Sequence, residues 1–314
     1  MLVRPWHPDW RISAELCRSW SRLRDEHKIN LVTGELADCG AAMDLAVETF
    51  EKTGRAELPD KVDVKAFFFG ARLARSVEFL STAAPNVSIR GVLAQLQSAA
   101  ASGRAKAHQG WHAEALLFLI ARLFDCARRV PKMRDRVDLV RERDDMKMPD
   151  IALDQIGFEL RVRDPRSDLS AERVETFLRE GVQHAAEKCR SKFSRVIACV
   201  DFSALDIKKD ANAARLFEGM YDRDRSTIDT VFKEYIEVPA LVLTSVVFET
   251  SLGLGGTAAV APRFRRTVFY NDHTPQTLPT AHRRLLDESF AGPRSGPFSE
   301  DSVDPALFFA PEKP

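Results

Sequence analysis

Apolar residues recur three and four positions apart through the first hundred residues, which is the spacing of amphipathic α-helices. Pro59 and Pro85 interrupt this pattern, and the segment 99–106 that follows it is small and polar. We place a domain boundary in that segment. The first 105 residues are therefore predicted to form an all-helical domain with helices at 9–29, 41–52, 64–82 and 88–102.

After residue 105 the pattern changes to helices mixed with strands. An apolar helix is predicted at 111–127, and it precedes three short strands at 137–143, 150–154 and 158–163. The turn between the second and third strands is placed at 155–157. A helix at 171–189 then leads to an almost wholly apolar strand at 195–202. A right-handed crossover makes that strand parallel to the third one.

Helices and strands continue to be predicted as far as residue 290, and no regular element is predicted after it. Two further helices, two strands and a last helix are predicted, at 210–221, 226–236, 240–248, 267–270 and 281–290. The tail 291–314 is rich in proline and is expected to be disordered. The predicted organisation is a helical domain at 1–105, an α/β domain at 106–290 and the tail.

Composition and charge are those of an ordinary globular protein. The 46 Lys and Arg residues balance 46 Asp and Glu residues, and 45% of the chain is hydrophobic, which excludes a disordered, collagen-like or coiled-coil protein. With no net charge, any surface for nucleic acid must be a local patch. The segment 128–143 is rich in Arg but also contains acids, so both a nucleic-acid track and a mixed solvated surface stay open.

The cysteine pattern and the hydropathy predict a compartment. Five cysteines are scattered without a CxxC pair, which favours a reducing environment, and we expect the cytoplasm. The N-terminus lacks the apolar region of a signal peptide. The longest apolar stretch, 238–248, is far shorter than the roughly 20 residues that span a bilayer, so no membrane association is expected.

The candidate chemistry is carried by two acids on neighbouring predicted strands. Asp150 begins the second strand and Glu159 lies in the third. The residues between them provide the rest of one strand, a turn and the return, so the two carboxylates are expected side by side. Both are out of phase with the apolar residues of their strands. Two converging carboxylates suit a hard cation such as Mg²⁺, which neutralises phosphate charge and lowers the pKa of a bound water.

The order helix, strand, strand, strand, helix, strand over roughly 110–202 resembles the PD-(D/E)xK nuclease superfamily. The resemblance is carried by three short motifs: Gly110-x-x-x-Glu114, Pro149-Asp150 and Glu159-Leu160-Arg161. It implies an α/β restriction-endonuclease-like core after the helical domain. It also implies Mg²⁺-dependent hydrolysis of phosphodiester bonds, with Mn²⁺ as a substitute and DNA favoured over RNA as the nucleic-acid partner. Roles in defence and in repair both fit.

The resemblance also implies roles for individual residues. Asp150, Glu159 and the main-chain carbonyl of Leu160 would be the metal ligands, and Glu114 would be a third catalytic acid. The family usually has lysine at the position of Arg161. Because arginine stays protonated, Arg161 would contact the scissile phosphate or orient the water but would not act as a base.

Two lysines outside the motif could supply the ammonium group that the family's usual lysine would provide. Lys188 and Lys192 lie near the margin of the apolar face of the 171–189 helix, and either would bring an ammonium to the site. Gln183 falls on the opposite, solvent side.

Alternatives stay open at this point. Asp150 and Glu159 would otherwise lie on a solvated strand face, with Glu159 paired to an arginine, and Glu114 would face solvent. The chain would then be a nuclease-fold protein without turnover that binds nucleic acid or protein, or a helical scaffold. In the nuclease interpretation the helical domain provides substrate or protein-partner specificity. A homodimer is compatible with two-strand cleavage, which needs two sites.

Three weaker motifs are set aside. Pro59-Asp60 and Asp63-Val64-Lys65 also spell the nuclease motif, but only two residues separate their acids and no hairpin fits between them. His108 and His112 have the spacing of a zinc pair, but Gly110 is expected to begin a helix between them. The glycines at 253–256 precede no helix, so they predict a turn and not a dinucleotide site.

Overall fold

The computed structural model divides the chain into two compact units. The first contains residues 1–122, 247–264 and 300–314, and the second contains 123–246 and 265–299. The residues that the structure describes are 12–55, 58–59, 61–83, 89–101, 109–129, 137–138, 148–162, 171–189, 193–203, 225–252 and 258–290. Within these ranges, no helix has the length and the apolar character needed to cross a membrane.

The first unit is built from helices, which are α1 (Ala14–Asp25), α2 (Ala37–Thr53), α3 (Val64–Ala83), α4 (Arg90–Ala101) and the first part of α5 (Gln109–Arg129). α1 starts where Ser13 Oγ accepts a hydrogen bond from the Leu16 amide at 3.0 Å. It ends earlier than predicted, before Lys28, whose φ of 56° is left-handed. α3 packs against both α1 and α2 and is buried over residues 66–77, so it forms the centre of this unit.

The second unit contains most of one mixed sheet with helices. The remaining elements are β1 (Val137–Asp138), β2 (Ile151–Leu153), β3 (Ile156–Val162), α6 (Ala171–Cys189), β4 (Arg195–Asp201), α7 (Ser226–Glu234), β5 (Ala240–Leu252), β6 (Ala258–Tyr270) and α8 (Thr280–Phe290). Residues 247–252 of β5 and 258–264 of β6 belong to the first unit. The strands lie in the order β1-β2-β3-β4-β5-β6. β1 and β2 are antiparallel, as are β2 and β3, whereas β3, β4 and β5 are mutually parallel neighbours. The predicted α/β class and the parallel β3–β4 pair are confirmed.

The hairpin turn lies one residue earlier than predicted. Leu153 pairs with Ile156, so Asp154 and Gln155 form the turn, and Gly157 is already in β3. Asp154 has a φ of 57°, a conformation that aspartate tolerates better than most residues. Ile156 is fully buried, and this burial favours the strand. The prediction of a turn at 155–157 was therefore wrong in register.

α6 covers one face of the sheet. Its apolar residues Val174, Leu178, Val182 and Ala185 belong to one core cluster with Val196, Ala198 and Val200 of β4. The helix approaches closely at Gly181, where an added Cβ would lie 2.7 Å from Val200 Cγ2. Because of this close approach, the α6 residues Glu180 and Lys188 contact residues of β3.

Several predictions fall outside the described residues. They are the helix at 210–221, the glycine turn at 253–256, the tail at 291–314, the residues at 139–143, and the side chains of Lys192, His108 and Asp60. β5 and β6 are both longer than predicted. α6 has the predicted bounds, and α7 ends two residues earlier than predicted.

Candidate functional site

Asp150 and Glu159 lie on neighbouring segments of the β2–β3 hairpin. Ile151 pairs with Phe158, so the next step of the antiparallel register places Asp150 opposite Glu159. Asp150 Oδ2 accepts a hydrogen bond from the Leu160 amide at 2.9 Å. The hairpin therefore brings together the two acids that the sequence singled out.

Pro149 helps to fix the position of Asp150. A Cβ built on Gly157 would lie 2.5 Å from Pro149 Cγ, so only glycine leaves room for the proline ring at this point of β3. Because Pro149 is buried there, the segment that leads into β2 is held against β3. The Pro149-Asp150 dipeptide is thus positioned by a glycine on the neighbouring strand.

The Leu160 carbonyl faces the same side of β3 as Asp150. The amide and the carbonyl of one strand residue point in the same direction, and the Leu160 amide is bonded to Asp150. Two carboxylates and one carbonyl oxygen are thus available at the end of the hairpin.

The site carries concentrated negative charge. The pKa of the Cys199 thiol is raised first by complete burial and then by the negative charges of Asp150, Glu159 and Asp201. Cys199 pairs in register with Leu160 on β3, directly beside Glu159. A buried region of this charge favours a cation.

Lys188 of α6 supplies one cation. Its Nζ lies 4.0 Å from Glu159 Oε1 and donates a hydrogen bond to the Met148 carbonyl at 2.7 Å. Glu159 is only 9% exposed. The alternative of a solvated strand face is therefore wrong for Glu159, because α6 covers this face and brings a lysine close to the carboxylate. The sequence identified Lys188 as one of two lysines able to reach the site.

Arg161 is engaged with α6. Its Nη2 donates to Glu180 Oε2 at 2.7 Å, and its guanidinium carbon lies 5.5 Å from the centre of the Phe177 ring. Its side chain is still 37% exposed, so part of the guanidinium reaches solvent. The prediction that Arg161 contacts a phosphate or orients a water stays a prediction.

His184 is a residue that the sequence analysis missed. It lies on α6 one turn from Glu180 and one turn from Lys188, so the three residues form a stripe that we call the α6 polar stripe. Burial of the imidazole lowers the pKa of His184, and the neighbouring Arg161 adds to the decrease. The signal in the sequence that could have identified His184 is its spacing of four residues from both Glu180 and Lys188. Gln183 is exposed, as predicted.

Glu114 lies in the first unit and is not solvent-facing. It is 1% exposed, its Oε1 accepts from Arg72 Nε at 2.6 Å, and its Oε2 accepts from Arg72 Nη2. The guanidinium carbon of Arg72 lies 4.9 Å and 4.7 Å from the ring centres of Phe69 and Phe118. The alternative of a solvent-facing Glu114 is wrong, because α3 supplies a buried partner. These contacts give no support to Glu114 as a third catalytic acid.

The donors of the site are all hard oxygen atoms, which fit Mg²⁺ or Mn²⁺ better than softer metals. Across the described part of the chain, no group of three or more His, Cys, Asp or Glu side chains is arranged to hold a metal. The fit therefore depends on Asp150, Glu159 and the Leu160 carbonyl. Comparisons of the chain with models of protein families, with curated proteins and with solved structures found no match.

Proposed function

We propose that this protein is a divalent-metal-dependent nuclease that hydrolyses phosphodiester bonds, with DNA as the favoured substrate. The observation that carries the proposal is the position of Asp150 opposite Glu159, with Asp150 fixed by the Leu160 amide. Two adjacent carboxylates in a largely buried and negatively charged region are suited to hold a divalent cation.

Each residue of the site has a separate role in the proposed reaction. Asp150, Glu159 and the Leu160 carbonyl would hold Mg²⁺, or Mn²⁺ in its place. Once bound, the cation neutralises charge on the phosphate and lowers the pKa of a water. Lys188 places a positive charge 4.0 Å from Glu159 Oε1 and is itself held by the Met148 carbonyl. The exposed part of the Arg161 guanidinium offers donors to a phosphate oxygen.

A second candidate is a protein of the same architecture that binds nucleic acid or protein without turnover. It is favoured by the Lys188 ammonium beside Glu159 and by the pairing of Arg161 with Glu180. The Lys188 ammonium balances part of the negative charge of the site, and this balance does not need a metal ion. In both candidates the helical unit provides specificity for substrate or partner.

Calorimetric titration with MgCl₂ and MnCl₂ tests the metal site directly. We expect wild type to bind both ions, and Asp150→Asn and Glu159→Gln to lose binding because each removes a charged oxygen ligand. Glu175→Gln is the matched control, because Glu175 is an exposed glutamate on the same α/β unit. It should bind the ions as wild type does.

The same proteins are then incubated with single-stranded and double-stranded DNA and RNA. Cleavage by wild type and by Glu175→Gln, without cleavage by the two site variants, supports the nuclease. Metal binding without cleavage of any substrate supports the second candidate. Wild type that binds neither ion overturns the metal site, and equal cleavage by all four proteins identifies a contaminating enzyme.

A further inference from the structure

We propose that His184 is the catalytic base that accepts the proton of the attacking water, an inference that rests on the proposed nuclease function. Arg161 cannot act as the base at its position on β3, because a guanidinium does not release its proton at physiological pH. Hydrolysis of a phosphodiester requires that a water proton be accepted as the new P–O bond forms. His184 lies next to the residue that cannot do this.

The position of His184 follows from its two neighbours on the α6 polar stripe. Glu180, one turn before it, bonds to Arg161, and Lys188, one turn after it, approaches Glu159. Arg161 and Glu159 are two residues apart on the same face of β3. His184 is therefore carried by the stretch of α6 that lies over this part of the strand.

The direction of the side chain agrees with this position. Side chains of an α-helix lean toward its N-terminus, so the imidazole leans toward Glu180 and hence toward Arg161. The charged groups around it are Arg161 from β3 and Glu180, Glu187 and Lys188 from α6 itself. β4 presents the apolar residues Val196, Ala198 and Val200 to the core that it shares with α6.

The electrostatic environment favours the protonation state that a base needs. Burial and Arg161 lower the pKa of His184 and outweigh the opposite effects of Glu187 and Glu180. The imidazole is therefore neutral at pH 7 and has a free electron pair for a proton. His184 is half-buried, so solvent reaches the residue and the proton can return to water after each turnover.

The proposed step balances in atoms and electrons. A lone pair of the water oxygen forms the new bond to phosphorus, and the water proton moves to the neutral nitrogen of His184. The bond between phosphorus and the leaving oxygen breaks, and that oxygen keeps the electron pair and takes a proton from solvent. His184 then releases its proton to solvent, which completes the hydrolysis.

The test uses the full chain with Mn²⁺ and bis(4-nitrophenyl) phosphate as the probe. Nitrophenolate leaves without needing a proton, so the rate with this probe reports on activation of the water. We expect His184→Ala to bind Mn²⁺ like wild type in calorimetry but to lose about 10²–10⁴-fold in kcat. Added imidazole should restore part of that loss, which a purely structural role of His184 would not allow. Gln183→Ala, at the exposed neighbour, should keep the wild-type rate.

The pH profile provides the second readout. The acidic limb of the wild-type profile should follow the His184 titration measured by NMR and should be absent in His184→Ala. If His184→Ala does not bind Mn²⁺, His184→Asn, which keeps the side-chain size, takes its place. A wild-type rate and acidic limb in the variant overturn the role of His184 while the nuclease proposal stands. Wild type that neither binds Mn²⁺ nor hydrolyses the probe overturns the nuclease proposal and this role together.

Discussion

Two buried ion pairs, one in each unit, differ in geometry. In the first unit Glu114 and Arg72 are both 1% exposed, and the guanidinium donates to both carboxylate oxygens from between two aromatic rings. In the second unit Lys188 lies 4.0 Å from a single oxygen of Glu159, and both side chains are about one-tenth exposed. The first pair is bidentate, whereas the separation between Lys188 and Glu159 in the second pair is longer than a hydrogen bond.

Under the proposed function, this difference in geometry corresponds to a difference in role between the two pairs. Bidentate bonding fixes the orientation of both groups and fills the carboxylate with donors, so Glu114 has little capacity for another ligand. In the second pair the lysine Nζ lies 4.0 Å from Glu159 Oε1, beyond hydrogen-bond distance, so it balances charge without a bidentate contact. Under the proposed function, the lysine pair is the one whose carboxylate takes part in holding the metal ion.

The largest expected effect is on stability in the first unit. Arg72→Met leaves Glu114 buried without its counter-charge, so we expect the free energy of unfolding to fall by about 3–5 kcal/mol in urea denaturation. Arg72→Met with Glu114→Leu should recover most of the loss, because no buried charge remains. Lys188→Met should cost less than Arg72→Met. An equal cost for the two would contradict the distinction between the pairs.

The next effect distinguishes the pairs by metal binding. Mn²⁺ at one hundred times its dissociation constant should stabilise wild type by about 2.7 kcal/mol, because only the folded protein forms the site. Thermal unfolding with and without Mn²⁺ measures this change. Glu159→Gln should show no increase in Tm, whereas Arg72→Met should keep the increase from its lower starting Tm. Loss of the Mn²⁺ effect in Arg72→Met would show that the first pair also serves the metal site.

A smaller effect on stability tests the close approach of α6 to the sheet, which brings Lys188 near Glu159. Gly181→Ala places a methyl group against Val200, so we expect a loss of about 1–3 kcal/mol from overpacking. It should also weaken the contact between Lys188 and Glu159 without changing either charge. Gln183→Ala on the exposed side is the control for urea denaturation and should have almost no effect. Unchanged stability of Gly181→Ala would indicate that α6 lies farther from the sheet.

The smallest effect concerns pH. The pKa of His184 is lowered in the folded state, so the unfolded chain binds more protons as the pH falls. The resulting contribution to stability is present above the unfolded pKa of about 6.5 and is lost as the pH falls through the folded pKa. Urea denaturation from pH 7.5 to pH 5 should show a smaller decrease for His184→Gln than for wild type. An identical decrease would indicate that His184 is not buried against Arg161.

The sequence predicted the elements well where the hydrophobic periodicity was long. α6 has the predicted bounds because its apolar residues repeat over five turns, and the parallel pair of β3 and β4 follows from the crossover rule. The hairpin turn was misplaced by one residue because tolerance of a left-handed Asp154 is a weak local signal. The burial of Glu114 against Arg72 was not predicted, because the sequence of one helix does not reveal a partner on another.

By itself, the sequence determined the local structure and the spacing that sets Asp150 beside Glu159, because strand alternation and the length of a hairpin act over neighbouring residues. Tertiary structure alone decided which charges meet. Arg72 reaches Glu114 across 42 positions, and α6 brings Lys188 and His184 to β3. The physical reason is that packing between elements decides which charged side chains are buried together, and a charge removed from water is stable only when it has a partner.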